Sequence, residues 1–568
     1  MSQPQVPSNH APKAGSPKRP VAVSGLSVGD YLITRLLDYG VRDIFGIPGD
    51  YVLAFYVMLE ESPINTVGCT REDCAGFAAD AYARVNNIGA VCVTYGVGGF
   101  SLANSIAGAY AEKSPVVLIS GSPGLRERYH NPLLHHRVGK FRTQFDVFHC
   151  LCGATTQLHN PDTAFREIDR VLDAVVRKRR PGYIELPRDM VSVVPEGPHT
   201  PFVTEQKSDP DALAEALAEA TRRLSQSRRP MILAGVEIHR LGLQEQLLAL
   251  AERAGIPITT TMLGKSVISE THPLFAGIYG SETGREDVSE MVEQSDCVVV
   301  LGAFLTDIDL AIDTVGLDPT KCIYATSETL RISHHHFHDV LLADFLTGLV
   351  DAGSKSPKAP RPPHPRAEEP DFQLRPDDPI TIRRLIARVN VALDDSTVVI
   401  ADVGDALFAS MELVVHRQTE FLSPAYYASM GFAVPAALGT MVARPDLRPL
   451  VLVGDGAFQM TGMELSNIVR RNLSPIVIVL DNKGYGTERL LHAGDYQFNE
   501  IHPWQYHKLP QVLGGGTGYE VRTEGEFDRA LRSAQADTTG MSLIQVHLDR
   551  NDKSQVLERL ARNLGRNV

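Results

Sequence analysis

The sequence is poor in the features that would take it outside the soluble globular class. No apolar run reaches the roughly 20 residues that a membrane-spanning helix needs, so no membrane partner is expected. Cysteine is sparse and odd in number, seven residues at positions 69, 74, 92, 150, 152, 297 and 322. None falls in the paired CxxC spacing of a zinc site, and most lie within apolar stretches, which reads as buried reduced thiols in a cytoplasmic protein. Basic charge is in deficit, 55 lysines and arginines against 68 acids, for a formal net charge of -13. The one short basic run, Arg177 to Arg180, cannot form a nucleic-acid track, so nucleic acid is excluded as a partner. The opening residues lack the apolar core of a secretory signal and are expected to form a disordered tail over 1–25.

What is present is length and rhythm. A chain of 568 residues accommodates about three to four domains at roughly 100 to 200 residues each. Over 26–195, apolar runs such as AVCVTYG and PVVLISG alternate with helix-like segments such as SVGDYLITRLLDYG, the pattern of β-α units on a parallel sheet. A second series over 196–352 contains RRPMILAG, IPITTT, DCVVVLGAF and KCIYATS. A proline-rich stretch over 353–372 cannot pack a core and is expected to be an extended linker. A third series over 373–568 contains STVVIADVG, RPLVLVGDG, PIVIVLDN and SLIQVHL. The fold class is therefore α/β, with three doubly wound parallel-sheet domains, and ligands are to be sought beyond the carboxyl ends of their strands.

In the third series, strand PLVLV runs into GDGAFQM at 454–460, and strand PIVIVL runs into DNKGYG at 481–486. Gly454 and Gly456 permit close backbone approach, Asp455 offers a hard oxygen ligand, and Asn482 with the Gly484 carbonyl can complete a shell shared with phosphate oxygens. The following helix start adds N–H donors for the same anion. GDG alone is a common turn. The spacing is more specific: Asn482 and Gly484 stand 27 and 29 residues after Asp455, which resembles the metal–diphosphate motif of thiamine diphosphate enzymes. The resemblance implies thiamine diphosphate and Mg2+ as cofactors, with Asp455, Asn482 and Gly484 as metal ligands. That family usually carries two asparagines in the second loop, whereas here Asp481 precedes Asn482.

A second signal is CTREDCAGFAADAYAR, where Glu72 follows an apolar strand and opens a helix. Two readings are open from the residues alone. Thr70 caps the helix with Asp73 at the third position, leaving Glu72 a helix-end acid, or Glu72 is a candidate for the carboxyl group that activates the cofactor's pyrimidine, and the two can hold together. The segment and TYGVGGFSLANSIAGAYAEKSPVVLISG, at 94–121, resemble the glutamate-bearing region of the thiamine enzymes.

From GIPGDYVLAF at 46–55 onward, the chain resembles the pyruvate, indolepyruvate and phenylpyruvate decarboxylase family, and LLHH at 133–136 falls at that family's histidine pair. The resemblance implies a pyrimidine-binding, a central and a diphosphate-binding domain. It implies Asp50, Glu72, His135, His136 and Glu488 as the catalytic set, and Glu72, Gly404, Asp405, Met430, Gly454, Asp455, Gly456, Ala457, Asn482 and Gly484 around the cofactor. Leu407, Thr487 and Leu491 would line the substrate pocket. The implied reaction is non-oxidative decarboxylation of a small-molecule 2-oxo acid to an aldehyde through a thiamine ylid and enamine. Leucine at 407, where pyruvate-selective relatives place tryptophan, favours aryl or long aliphatic acids such as phenylpyruvate or indolepyruvate. At least a homodimer is implied, and a homotetramer is expected, because Glu72 of one chain meets the diphosphate loop of another. The competing readings are a thiamine-dependent carboligase, against which the histidine pair argues, and a catalytically silent scaffold, which would have lost Glu72, Asp455 or Asn482. A second histidine cluster, His334, His335, His336 and His338, reads as surface or packing, and Arg489 has no assignment.

Overall fold

The computed structural model describes residues 22–307, 317–353, 372–416, 420–492, 494 and 496–564. The expected tail over 1–25 and the linker over 353–372 lie almost entirely outside these residues. Of the former, Val23 pairs with His199 in an isolated antiparallel bridge.

Three sheets follow from the three series of apolar runs. The first holds six strands in the spatial order Asn65–Gly68, Asp43–Ile47, Gly89–Val93, Val116–Ser122, Gly182–Pro187, Ala154–Gln157, all parallel. The third holds Glu420–Leu422, Thr397–Ala401, Arg448–Gly454, Ile476–Asp481, Ser542–His547 and Thr517–Val521, again all parallel. In both, the second strand of the series lies outside the first, and the third lies on the first strand's other side. The two sheets thus share one strand order, and each has its topological switch point between its first and third strands.

The middle sheet is mixed. Five parallel strands run from Cys322–Ala325 through Cys297–Leu301, Pro230–Ala234 and Ile258–Thr260 to Phe275–Ile278. Leu330–Ile332 and His335–Phe337 then pair antiparallel at one edge. Only Ser333 and His334 separate those two strands, a connection too short for anything but a hairpin. His334, His335, His336 and His338 are all exposed on this edge, and His335 Nδ1 lies 2.8 Å from Glu219.

The first and third sheets share a single core. Helix Glu72–Asn86 is buried from Cys74 to Arg84, and it packs against Ala433–Ala443, the helix at the equivalent place in the third series. Small residues make this possible: a Cβ on Gly439 would stand 2.0 Å from the Ala78 carbonyl oxygen. Arg84 closes the same interface from within. It pairs with Asp80 at 2.8 Å and Glu112 at 2.8 Å and donates to the Ser423 carbonyl at 3.0 Å. The middle unit is attached through a buried ion pair, Lys113 with Glu237, in which Ser327 also takes part. Among the described residues no helix is long and apolar enough to cross a membrane.

Candidate active site

The loops at the two switch points carry the residues singled out by sequence. After strand Asp43–Ile47 comes Asp50, and after Gly89–Val93 comes Gly96. Against these lies the loop bearing His135 and His136. His135 Nε2 is 2.8 Å from Asp50 Oδ2, its Nδ1 is 3.3 Å from the Tyr51 hydroxyl, and its ring stacks on Tyr51 with centroids 4.8 Å apart. A neutral imidazole with its proton on Nε2 satisfies both contacts, accepting from Tyr51 and donating to Asp50. His136 meets the His135 ring edge-on at 4.8 Å, and its buried Nδ1 has no hydrogen-bond partner among the described residues. One ligand atom from each of Asp50, His135 and His136 lies within 4.8 Å of the others, a spacing that also suits a metal ion.

The His136 backbone is in the left-handed region at φ 63°, and what fixes it is Gly96. Gly96 is itself left-handed at φ 69°, and a Cβ there would stand 2.1 Å from the His136 carbonyl oxygen. Its N–H donates to Gln144 Oε1 at 2.7 Å. Gln144 is fully buried and donates in turn to Ser120 at 2.8 Å and Tyr183 at 2.7 Å. Tyr183 donates to Glu185 at 3.1 Å; burial pushes the Glu185 carboxyl up from its ordinary range. Arg188 lies 3.8 Å from Asp50 and 5.0 Å over the Tyr51 ring.

Glu72 opens its helix as expected, but Thr70 is not the cap. The N-cap is Arg71, without a side-chain cap bond, while the Thr70 N–H and hydroxyl both donate to Glu464 from the third series, the former at 3.0 Å. Asp73 pairs with Arg71 at 3.0 Å. Cross-domain bonding by Glu464 outcompetes the local capping box. Glu72 is half-buried, and its Oε1 lies beside Gly98.

At the other switch point, Asp455 is buried and accepts the N–H of Gly456 at 2.8 Å and of Gly484 at 3.1 Å, binding the two loops to one carboxyl group. Burial, and then the charge of Asp481, push the Asp455 carboxyl up to about 7. Asp481, the departure from the two-asparagine pattern, is accommodated by Gln545 at 2.7 Å and His547 at 3.0 Å. The same Gln545 amide reaches the carbonyl of Trp504, the chain's one tryptophan, at 3.3 Å. A Cβ on Gly456 would stand 2.7 Å from the Tyr485 ring and 3.7 Å from Met430 Cε, and one on Gly404 would stand 3.3 Å from Thr487 Oγ1. Tyr485 and Met430 thus pack against Gly456, next to Asp455, and Thr487 approaches Gly404.

Met430 is placed by Asp402, which sequence reasoning passed over. Its buried carboxylate accepts from Val403 at 3.0 Å, Gly431 at 3.0 Å and Ala433 at 2.9 Å, and burial pushes it up to about 6. Asp405 turns to Ser554, whose N–H donates to it at 2.9 Å. Leu407 is buried in a second core cluster of the third unit, Asn482, Thr487 and Leu491 are partly buried, and Glu488 is exposed. Gly454 and Ala457 flank the Asp455–Gly456 turn. No hydrogen bond or ion pair among the described residues joins the Asp50–His135–His136 group to the Asp455 group within one chain.

Three family models match the chain in order. Residues 26–145 match the N-terminal TPP binding domain of thiamine pyrophosphate enzymes, 217–347 their central domain, and 402–546 their C-terminal TPP binding domain. An indole-3-pyruvate decarboxylase from Azospirillum brasilense is 35% identical over 542 residues, 94% of this chain and 97% of the relative. An alpha-keto-acid decarboxylase from Mycobacterium avium (strain 104) is 35% identical over 547 residues, 94% and 96% of the two chains. A further alpha-keto-acid decarboxylase, from Mycobacterium tuberculosis (strain ATCC 25618 / H37Rv), is 34% identical over 543 residues, again 94% and 96%. With three domain matches in order, near full-length relatives and the motif loops at both switch points, the chain belongs to the family of thiamine pyrophosphate-dependent 2-oxo acid decarboxylases.

Proposed function

We propose that the enzyme converts aryl or long aliphatic 2-oxo acids to the aldehyde and carbon dioxide, preferring them to pyruvate, with thiamine diphosphate and Mg2+ held between two copies of the chain. The residues suit that cargo. Asp455 is a buried carboxyl group beside a second acid, a donor set that a divalent cation would hold ionised. Gly454 has nothing within 4 Å of where a Cβ would stand, leaving its backbone open to an anion. Asp455, Asn482 and the Gly484 carbonyl would hold the ion, Gly454 to Ala457 the diphosphate, Met430 the face of the coenzyme, and Glu72 the pyrimidine. When bound, thiamine diphosphate supplies a nucleophilic carbon and an electron sink next to it.

The observation that carries the reading is the Asp50–His135–His136 group. Imidazoles beside a carboxylate, one with an unused ring nitrogen in the interior, are suited to deliver a proton to carbon after carbon dioxide leaves, which ends the reaction at the aldehyde. Tyr51 and Gly96 fix those rings. Asp50 and His135 are exposed in the single chain, so the water exclusion that disfavours a substrate carboxylate and speeds its loss would come from the second chain covering them. Glu488 would stand near the departing group. Leucine at 407, although packed in the core cluster, is smaller than the tryptophan of pyruvate-selective relatives, and with threonine at 487 it favours a large substrate side chain; one relative's name, indole-3-pyruvate decarboxylase, points the same way. One methylene in an apolar pocket is worth only about 1 to 3 kcal/mol, so these positions rank substrates rather than exclude them.

Pairing of two chains is supported by apolar residues left open beside each half-site: Val97 near Glu72, and Met460 and Met463 after Asp455, are about half exposed. The thiols, all unpaired, suit a reducing cytoplasm. The test supplies purified protein, thiamine diphosphate and Mg2+ with a panel of 2-oxo acids and follows aldehyde by coupled reduction and hydroxyketone by chromatography. Aldehyde from the larger acids is expected. A kcat/KM for pyruvate above that of every larger acid would sink the preference, and hydroxyketone as main product would sink the decarboxylase reading. Sedimentation alongside the assay is expected to find activity only in dimers or larger assemblies.

A further inference from the structure

Arg489 touches neither the histidine group nor Asp455, yet only 8% of its side chain is exposed. Its guanidinium collects backbone carbonyls. Nη1 donates to Asn482 O at 3.0 Å and to Arg550 O at 3.3 Å. Nη2 donates to Lys483 O at 2.5 Å and Asn499 O at 3.3 Å, with Glu500 Oε1 at 3.4 Å. Two of these carbonyls belong to the residues immediately before Gly484. Between them lies Lys483, a non-glycine residue in the left-handed region at φ 63°, a conformation that is disfavoured for a residue with a side chain and needs holding. Gly484 follows at φ 134°, where a Cβ would stand 2.7 Å from Arg489 Nη2 and 2.0 Å from Asn499 O. The two Nη groups of the planar fork match this convergence of carbonyls, while Nε is buried without a partner among the described residues; an ammonium cannot spread its donors in this way.

We propose that Arg489 is a positioning residue for the metal loop. It holds both peptide planes of Lys483 so that the Asn482 side chain and the Gly484 carbonyl are set for a divalent ion before one arrives. The inference rests on the assignment of that ion to Asp455, Asn482 and Gly484, and it deepens that assignment: Arg489 stands behind the ligands and touches neither cofactor nor substrate. Groups that orient metal ligands typically change affinity by about 10- to 100-fold when removed.

The test is isothermal titration of Mg2+ in saturating thiamine diphosphate, on the full-length wild type, Arg489→Gln, Arg489→Lys and Glu500→Gln. Wild type is expected to bind, Arg489→Gln to bind about 10- to 100-fold more weakly, Arg489→Lys to recover little of the loss despite keeping the charge, and Glu500→Gln to stay near wild type. In steady-state assays the Arg489 variants should show a raised cofactor KM, with most activity returning at high Mg2+ and thiamine diphosphate and the 2-oxo acid KM little changed. Should Arg489→Gln fail to fold, Arg489→Lys carries the comparison. Wild type and both Arg489 variants binding within twofold of each other would overturn the inference alone. A wild type that takes up no Mg2+ with thiamine diphosphate would overturn the metal assignment beneath it.

Discussion

At the scale of single residues, His136→Ala should lower kcat by about 100- to 10,000-fold while coenzyme affinity holds, the usual range for an acid–base group; a variant turning over at the wild-type rate would dismiss it. Gly96→Ala should be nearly as damaging for a different reason, since the new methyl meets the His136 carbonyl at 2.1 Å; activity should fall with little change in the coenzyme titration. Asp402 gives a pH prediction. Its carboxyl stands near 6 in the folded protein against an ordinary 3.8, so the native state keeps a proton that the unfolded chain releases. Stability contributed by that proton is present below about 4, declines as pH rises, and is gone above about 6, a change on the order of 3 kcal/mol. Urea unfolding of the apo protein should become less stable across this window, and Asp402→Asn should flatten the slope. An unaltered slope would show that Asp402 does not set it. The histidine pair and Asp455 were legible in sequence because each sits in a short contiguous motif. Tyr51, Gln144 and Asp402 were not, because their work is done on residues 84, 48 and 29 positions away, and nothing in local patterning announces such a partner.

Elements repeat this lesson. The strands were legible as β-branched apolar runs between helical segments, and their parallel pairing followed from the alternation. That the first and third sheets would share one strand order was not visible, because spatial order is decided by which side each crossover packs on. Nor was the reversed edge of the middle sheet, where two three-residue strands are too short to carry a period. The pairing of Glu72–Asn86 with Ala433–Ala443 was hidden as well: alanine-rich helices look alike whether they face solvent or each other. Gly439→Ala tests that junction. The added methyl would meet backbone rather than a yielding side chain, so the loss should reach or exceed the roughly 1 to 3 kcal/mol usual for overpacking. The urea midpoint should fall, with protease nicking between the first and third units; a midpoint matching wild type would mean the helices have slack.

For the whole molecule, the attachment of the middle unit is the point of leverage. Lys113→Met would strand Glu237 in the interior, at a cost of about 3 to 5 kcal/mol, whereas Lys113→Met with Glu237→Leu removes both charges and should recover much of it. Denaturant curves for the two variants separate a buried pair from a contact of no consequence: equal losses would contradict the pairing. The three-unit plan itself was legible from repetition along the chain, whereas the pairing of two chains came only from the family resemblance and not from any pattern in the residues. One further property follows from the corner where Gln545 joins Asp481 to the carbonyl of Trp504. Because the protein has no other indole, emission excited beyond the tyrosine band comes from one side chain, whose backbone carbonyl is joined through Gln545 to the residue preceding Asn482, so a rearrangement of that corner can be watched by intrinsic fluorescence, without a dye.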